Sequence, residues 1–172
     1  MTDISPSIQP YTAQRVTFNS ARPFDDVVAT LHKLLGSSKP IDYKSLASQA
    51  TDIQSFEKIF NSVIGPSGFI LFLEVDHGAW FSLFDKSTRK SRMFVLGNPL
   101  IARTMLEHNL TAGLHVPVRL LVLEQDPHIT TISYDLPSSL IAIGGDNPAL
   151  LNAAKGLDDK LEKLASQVAN GK

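Results

Sequence analysis

The chain has 172 residues, 43% hydrophobic and 19% charged, with a formal net charge of -1. That composition excludes general disorder, supplies no basic field for nucleic acid, and at this length suits one domain with a sizeable core. There are no cysteines, which removes disulfides, thiol catalysis and thiolate metal sites.

Residues 1–14 read as a polar, proline-bearing, loose arm without the basic and apolar stretches of a secretory signal. Residues 15–170 read as a single domain. A first short strand is expected at 15–19. Pro23 suits the first position of a helix, with Asp25 and Asp26 in its first turn. Phe24, Val27, Val28, Leu31, Leu34 and Leu35 then recur at helical spacing until Gly36 ends the run. After a break at 37–40, a short helix is expected at 43–50. A capping-box pattern at 51–54 opens another, with the stripe Phe56, Ile59, Phe60, Val63 and Ile64, closed by Gly65-Pro66-Ser67-Gly68.

The pattern then turns to strands. Residues 69–75 are dense in β-formers, Gly78 breaks or bulges the run, 79–84 reads as the returning strand, 85–90 as a polar turn and 92–96 as the next strand. Asn98 and Pro99 supply the cap and first position of a helix whose buried side is Leu100, Ile101, Met105 and Leu106. Residues 117–124 and 129–134 form a hairpin around 125–128. Asn147 and Pro148 repeat the capping device for a last helix with the stripe Leu150, Ala154, Leu157, Leu161, Leu164 and Val168. Gly156 inside it costs about 1 kcal/mol relative to alanine and so points to close packing there. Consecutive strands with short turns mean a mostly antiparallel sheet, covered on one face by the amphipathic helices: an α+β two-layer sandwich. No apolar run reaches the ~18 residues of a membrane span, so the expectation is a cytoplasmic protein with no membrane partner.

Six side chains stand out as candidates. Strict alternation over 69–77 puts Phe69, Leu71, Leu73, Val75 and His77 on one face, and Ile70, Phe72, Glu74 and Asp76 on the other. With the first set against the helices, His77 ends the core face at the lip of a hollow. An imidazole there can serve as general base or ligand donor, although a strand-end histidine held by a backbone carbonyl is the plainer reading. Trp80, the single tryptophan, either lines a pocket or is core. Asn98 caps a helix whose free N–H groups can also receive an anion or a carbonyl oxygen. Arg119, in an apolar strand, must be paired if buried, by Glu74, Asp76 or Asp135; otherwise it anchors a carboxylate or phosphate of a ligand. Tyr134 can donate to a substrate oxygen, while Asp135 and Ser138 equally form a turn. His32, His108, His115 and His128 show no metal spacing, and neither a nucleophile elbow nor a glycine-rich phosphate loop is present.

In order and spacing, several of these segments resemble the domain of unknown function 302 family. They are Val75-Asp76-His77, Gly97-Asn98-Pro99 entering a helix with Met105, Val116-Pro117-Val118-Arg119 leading into a strand, and Ser133-Tyr134-Asp135-Leu136-Pro137. The likeness covers roughly residues 15–165; Ala102-Arg103 stands where members typically show Gly-Thr. The resemblance implies a TATA-binding-protein-like fold, β-α-β4-α, with helices on one side of a curved antiparallel sheet, and an insertion around 37–65. It implies small cytosolic proteins, dimers among them, and no assigned activity.

The reading to be tested is a small-molecule pocket between sheet and helices where His77, Asn98, Arg119 and Tyr134 converge, with Trp80 and Asp76 as further ligand contacts. As an enzyme it would run cofactor-free acid/base chemistry on a carbonyl compound, as an isomerase, lyase or hydrolase. His77 would be the base, with Tyr134 or Arg119 stabilising negative charge on oxygen. As a binding protein it would carry the same ligand without turnover. The third reading is a homodimeric interaction module. No metal, cofactor or nucleic acid is called for.

Overall fold

The computed structural model describes residues 5–87, 89–126 and 128–171. The first four residues of the expected arm, Thr88 of the expected polar turn and Pro127 of the expected hairpin turn lie outside them. In chain order the elements are β1 (Arg15–Ser20), α1 (Phe24–Leu35), α2 (Tyr43–Ser48), α3 (Ile53–Asn61), β2 (Ile70–Asp76), α4 (His77–Phe81) and β3 (Ser91–Gly97). They continue with α5 (Pro99–Leu106), a 3-10 turn (Leu110–Leu114), β4 (Val118–Asp126), β5 (Ile129–Asp135), α6 (Pro137–Ile141) and α7 (Pro148–Asn170). This is an α+β fold built on one five-stranded sheet of order β1-β5-β4-β3-β2, antiparallel at every pairing.

Caps set the helix starts. Asn98 Oδ1 accepts the Leu100 N–H at 2.9 Å and Asn147 Oδ1 accepts the Leu150 N–H at 3.0 Å, each followed by proline. The box that opens α3 is shifted one residue from the expected one. Asp52, not Thr51, is the cap; its carboxylate accepts the Ser55 N–H at 2.7 Å, and Ser55 Oγ accepts the Asp52 N–H at 3.0 Å. A carboxylate so placed also complements the helix dipole, which gives aspartate the advantage over threonine. Pro23 is the N-cap of α1 rather than its first helical residue.

One layer of the core comes from α1 and α7, the other from one face of the sheet. Phe94, Leu96, Leu120, Val122, Ile132 and Tyr134 point to the helices and are all buried. Every residue of the expected α7 stripe is buried. Gly156 is a correction: an added Cβ would meet nothing within 4 Å, so no close packing explains it. The close approach lies elsewhere, where the end of α1 crosses the loop before β2. Gly36 takes φ 75°, and a Cβ on Gly65 would lie 2.2 Å from the Leu35 carbonyl carbon.

Two expectations for the β2 region fail. Residues 79–84 do not form a returning strand. Asp76 Oδ1 accepts the Ala79 N–H at 2.8 Å and caps the one-turn helix α4, and β2 pairs with β3 instead. The chain passes β3 closely there, since a Cβ on Gly78 would sit 2.8 Å from the Ser91 nitrogen. Strict alternation along β2 also fails. Leu71 pairs with Leu96 but Leu73 pairs with Val95, leaving Phe72 as an unpaired bulge residue. Beyond the bulge the faces exchange: Glu74 pairs with the buried Phe94 on the helix side, while Leu73 is turned out and 47% exposed.

The segment 37–65, expected as an insertion, lies against the edge of the sheet. The Ile41 N–H donates to the Leu71 carbonyl at 3.0 Å, occupying part of the free edge of β2. Among the described residues no helix is long and apolar enough to cross a membrane. Two glycine substitutions should separate these roles. Gly156→Ala is expected to raise the unfolding free energy by about 0.5–1 kcal/mol. Gly65→Ala is expected to lower it by about 1–3 kcal/mol or more, because backbone must move to admit the methyl. Urea denaturation of both variants measures the difference.

Candidate functional site

A large hollow lies where β2 begins and β3 ends. It is a cleft of about 1250 Å³ between the α2–α3 insertion on one side and α5 with the following 3-10 turn on the other. Phe72, Gly97 and Val118 line it with Pro117, whose peptide bond to Val116 is cis. Ring contacts knit the insertion to the sheet: Tyr43 lies 5.4 Å from Phe60 and 5.7 Å from Phe72, and Phe56 lies 4.6 Å from Phe60. Much of the remaining wall is apolar, with Ile41, Ile53, Leu100, Ile101, Met105, Leu106 and Leu157 among it. Ile53 and Leu110 stand 70% and 81% exposed, so some of this apolar lining meets solvent.

Several of the polar groups on the cleft are engaged within the protein. Asn98 spends both ends of its amide, Oδ1 on the Leu100 N–H and Nδ2 on the Gly68 carbonyl at 2.9 Å. Arg103 is ion-paired with Glu57 at 3.5 Å and lies 3.9 Å from Glu107, all three well solvated. No histidine lines the cleft. Of the six residues singled out from the sequence, Asn98 alone is in its wall.

Of the other five, Asp76, His77 and Trp80 gather at the far end of β2, while Arg119 and Tyr134 lie apart from them on β4 and β5. His77 follows Asp76 at the far end of β2, about 16 Å from the cleft-lining Phe72 at ~3.3 Å per residue. It is half-buried, and its Nδ1 accepts the Trp80 indole N–H at 3.3 Å. It does not end a core face, because the Phe72 bulge exchanges the faces before the strand reaches it. Trp80 is neither core nor cleft lining but 50% exposed. Asp76 caps α4 and accepts from Arg92 Nε at 2.9 Å. The same guanidinium reaches Glu74 Oε1 at 3.0 Å, and Glu74 Oε2 lies 2.7 Å from His32 Nε2. This chain of four side chains ties α1 to β2 and β3. Among the described residues, no group of three or more histidine, aspartate or glutamate side chains could hold a metal ion.

Arg119 and Tyr134 fall on opposite faces of the sheet. Arg119 pairs with Val95 on the face away from α1 and α7 and is exposed, so it needs no buried partner. Its expected acids are taken: Asp135 by Arg15 at 2.8 Å, Glu74 and Asp76 by Arg92. Tyr134 is 3% exposed under the helices, and its hydroxyl has no hydrogen-bond partner among the described residues. Burial pushes its pKa up to about 12, helped by the negative charges of Glu162 and Asp158. Asp158 is itself pushed upward, chiefly by burial, against the Ser138 N–H it accepts at 2.9 Å.

The cleft residues from 37–65 escape sequence reasoning because a stripe such as Phe56-Ile59-Phe60 reads the same whether it faces core or cavity. The raised Asp158 pKa carries a sign that can be checked. Its ionised form costs the folded state stability at neutral pH, and that cost disappears as pH falls through the folded pKa to below the unfolded value near ~3.9. Asp158→Asn keeps an acceptor for Ser138 and removes the charge. It should therefore be more stable than the parent at pH 7 and lose that advantage at pH ~3, as followed by thermal unfolding across pH.

Among curated proteins no similar sequence is found. Among solved structures the chain is similar to the crystal structure of an uncharacterized conserved DUF302 protein from Bacillus stearothermophilus. The TM-score is 0.61 at 18% identity, over 90% of this chain and 97% of that one, which shows a shared fold. That likeness takes in most of the chain, whereas the family match itself begins after α1. With residues 44–168 matching the domain of unknown function DUF302, the chain belongs to that family.

Proposed function

We propose that the protein binds an apolar small molecule in the cleft beside Phe72 and holds it without transforming it. The observation that carries this reading is the cleft itself: about 1250 Å³, aromatic and aliphatic in its walls. Ligand sites are typically ~300–1,000 Å³, mostly apolar, with a few placed polar groups. The volume suits a bulky or elongated hydrocarbon skeleton with its polar end toward Arg103 or water. Turnover would need a base within hydrogen-bond reach of the ligand, about 3 Å; of the carboxylates on the wall, Asp52 is held by the Ser55 N–H and Glu57 by Arg103. The separation of His77, Arg119 and Tyr134 speaks for the carrier reading over acid/base chemistry on a carbonyl compound.

A second reading, homodimer formation, draws on the sheet face turned away from α1 and α7. Leu73, Val75, Met93, Val95, Leu121 and Leu123 lie across three adjacent strands and are all partly exposed. Apolar patches of this kind mark association surfaces. A twofold contact would bury them against themselves.

Ligand binding is checked by thermal unfolding against a panel of fatty acids, isoprenoids and aromatic hydrocarbons, with native mass spectrometry of the complexes. A ligand present at 100 times its Kd should add about 2.7 kcal/mol. Ala102→Trp, which fills the cleft from α5, should abolish the increment while leaving the ligand-free protein folded. Equal stabilisation of parent and variant would place the ligand elsewhere. For the dimer, sedimentation equilibrium should give twice the chain mass, and Leu73→Lys with Leu121→Lys should return it to one; a concentration-independent monomer ends that reading.

A further inference from the structure

At the end of β2 opposite the cleft, four large apolar side chains stand in water. Trp80 is 50% exposed, Phe81 44%, Leu83 83% and Phe84 78%. Three of them hold one another: Trp80 lies 5.7 Å from Phe81 and 6.3 Å from Phe84, and Phe81 lies 6.2 Å from Phe84, ring centre to ring centre. The backbone beneath is folded. Asp76 caps α4, and the N–H groups of Ser82, Leu83, Phe84 and Asp85 donate back to Gly78, Trp80 and Phe81 at 2.9–3.2 Å. This is a fixed greasy knob, and apolar surface held out in this way marks a contact site.

Cations follow directly. Lys86 and Arg89 are exposed and form no ion pair among the described residues. Lys90 and Arg92 do not add to them, being held by Asp25 and by Glu74 with Asp76. The Asp85 carboxylate between knob and cations is exposed, with one oxygen accepting the Ser87 N–H at 2.9 Å and hydroxyl at 2.7 Å, so the local balance with Lys86 and Arg89 is positive by one charge.

We infer that residues 80–84, with Lys86 and Arg89, form a docking surface for a membrane that exposes anionic phospholipid. Tryptophan and phenylalanine settle at the boundary between headgroups and acyl chains, and neighbouring lysine and arginine meet lipid phosphates. A folded protein partner fits less well. A stable protein interface buries about 800 Å² on each side, more than four side chains provide, whereas a bilayer needs no matching shape. A second copy meeting this knob across a twofold axis would bring Lys86 and Arg89 toward their own duplicates. The contact is peripheral, and so lies outside the span-length argument that set aside a membrane partner. It is also independent of the cleft, which sits at the other end of β2.

The single tryptophan is its own reporter. The full chain is titrated with vesicles of mixed phosphatidylglycerol and phosphatidylcholine, and with phosphatidylcholine alone, while Trp80 emission and co-sedimentation are followed. The expected result is a shift to shorter wavelength and co-sedimentation with the anionic vesicles, weakened by added salt. Leu83→Asp with Phe84→Asp should abolish both signals. Lys86→Glu with Arg89→Glu should weaken binding by roughly tenfold or more. The exposure of all four sites leaves the fold intact, as circular dichroism would verify. Unchanged emission with anionic vesicles, equal binding to both vesicle types, or the same shift on concentrating the protein without lipid would each overturn the proposal, the last in favour of self-association.

Discussion

The bulge at Phe72 decides more of this structure than any other residue. An antiparallel pair enforces alternation of faces, so one unpaired residue exchanges the faces of everything that follows it. Leu71 before the bulge lies in the core; after it, Glu74 rather than Leu73 pairs across to Phe94. The exchange brings two carboxylates to the side where Arg92 stands, and that guanidinium takes one from each of Glu74 and Asp76. His32 reaches Glu74 from α1 and ends the chain. Without the bulge, Arg92 would face Leu73 and Val75, and a half-buried guanidinium would lack its acceptors.

The same strand carries a different surface at each end. At its start, Phe72 turns toward the cleft and meets Tyr43 of the insertion, while the Ile41 backbone occupies part of the open strand edge. At its finish, Asp76 stops the strand by capping α4, which carries the exposed aromatic knob. The two surfaces are therefore set apart by the length of β2, and neither draws on the residues of the other.

Chemistry at a site requires groups in reach of one atom. Sheet geometry denies this to the most reactive-looking side chains. Arg119 and Tyr134 belong to neighbouring strands but opposite faces, and His77 is carried to the far end of the sheet. Tyr134 and Asp158 have raised pKa values because helices cover them, which is a consequence of packing. Perturbed titration marks a functional site only when such groups converge on a hollow.

Local chemistry was legible in the chain. Asn98-Pro99 and Asn147-Pro148 open helices because a side-chain oxygen and a preset φ act within a few residues, and the Leu150-to-Val168 stripe declares its buried face by period alone. The α+β class follows from the order of such elements, and the family from the order of its segments. What the sequence could not decide is which residue of 69–75 would go unpaired, since the register is fixed only when β2 pairs with β3, distant along the chain. The faces of Glu74 and Asp76, the position of His77 and the hollow beside Phe72 all depend on that choice. They are long-range properties, settled only when β3, α1 and the 37–65 insertion pack around β2.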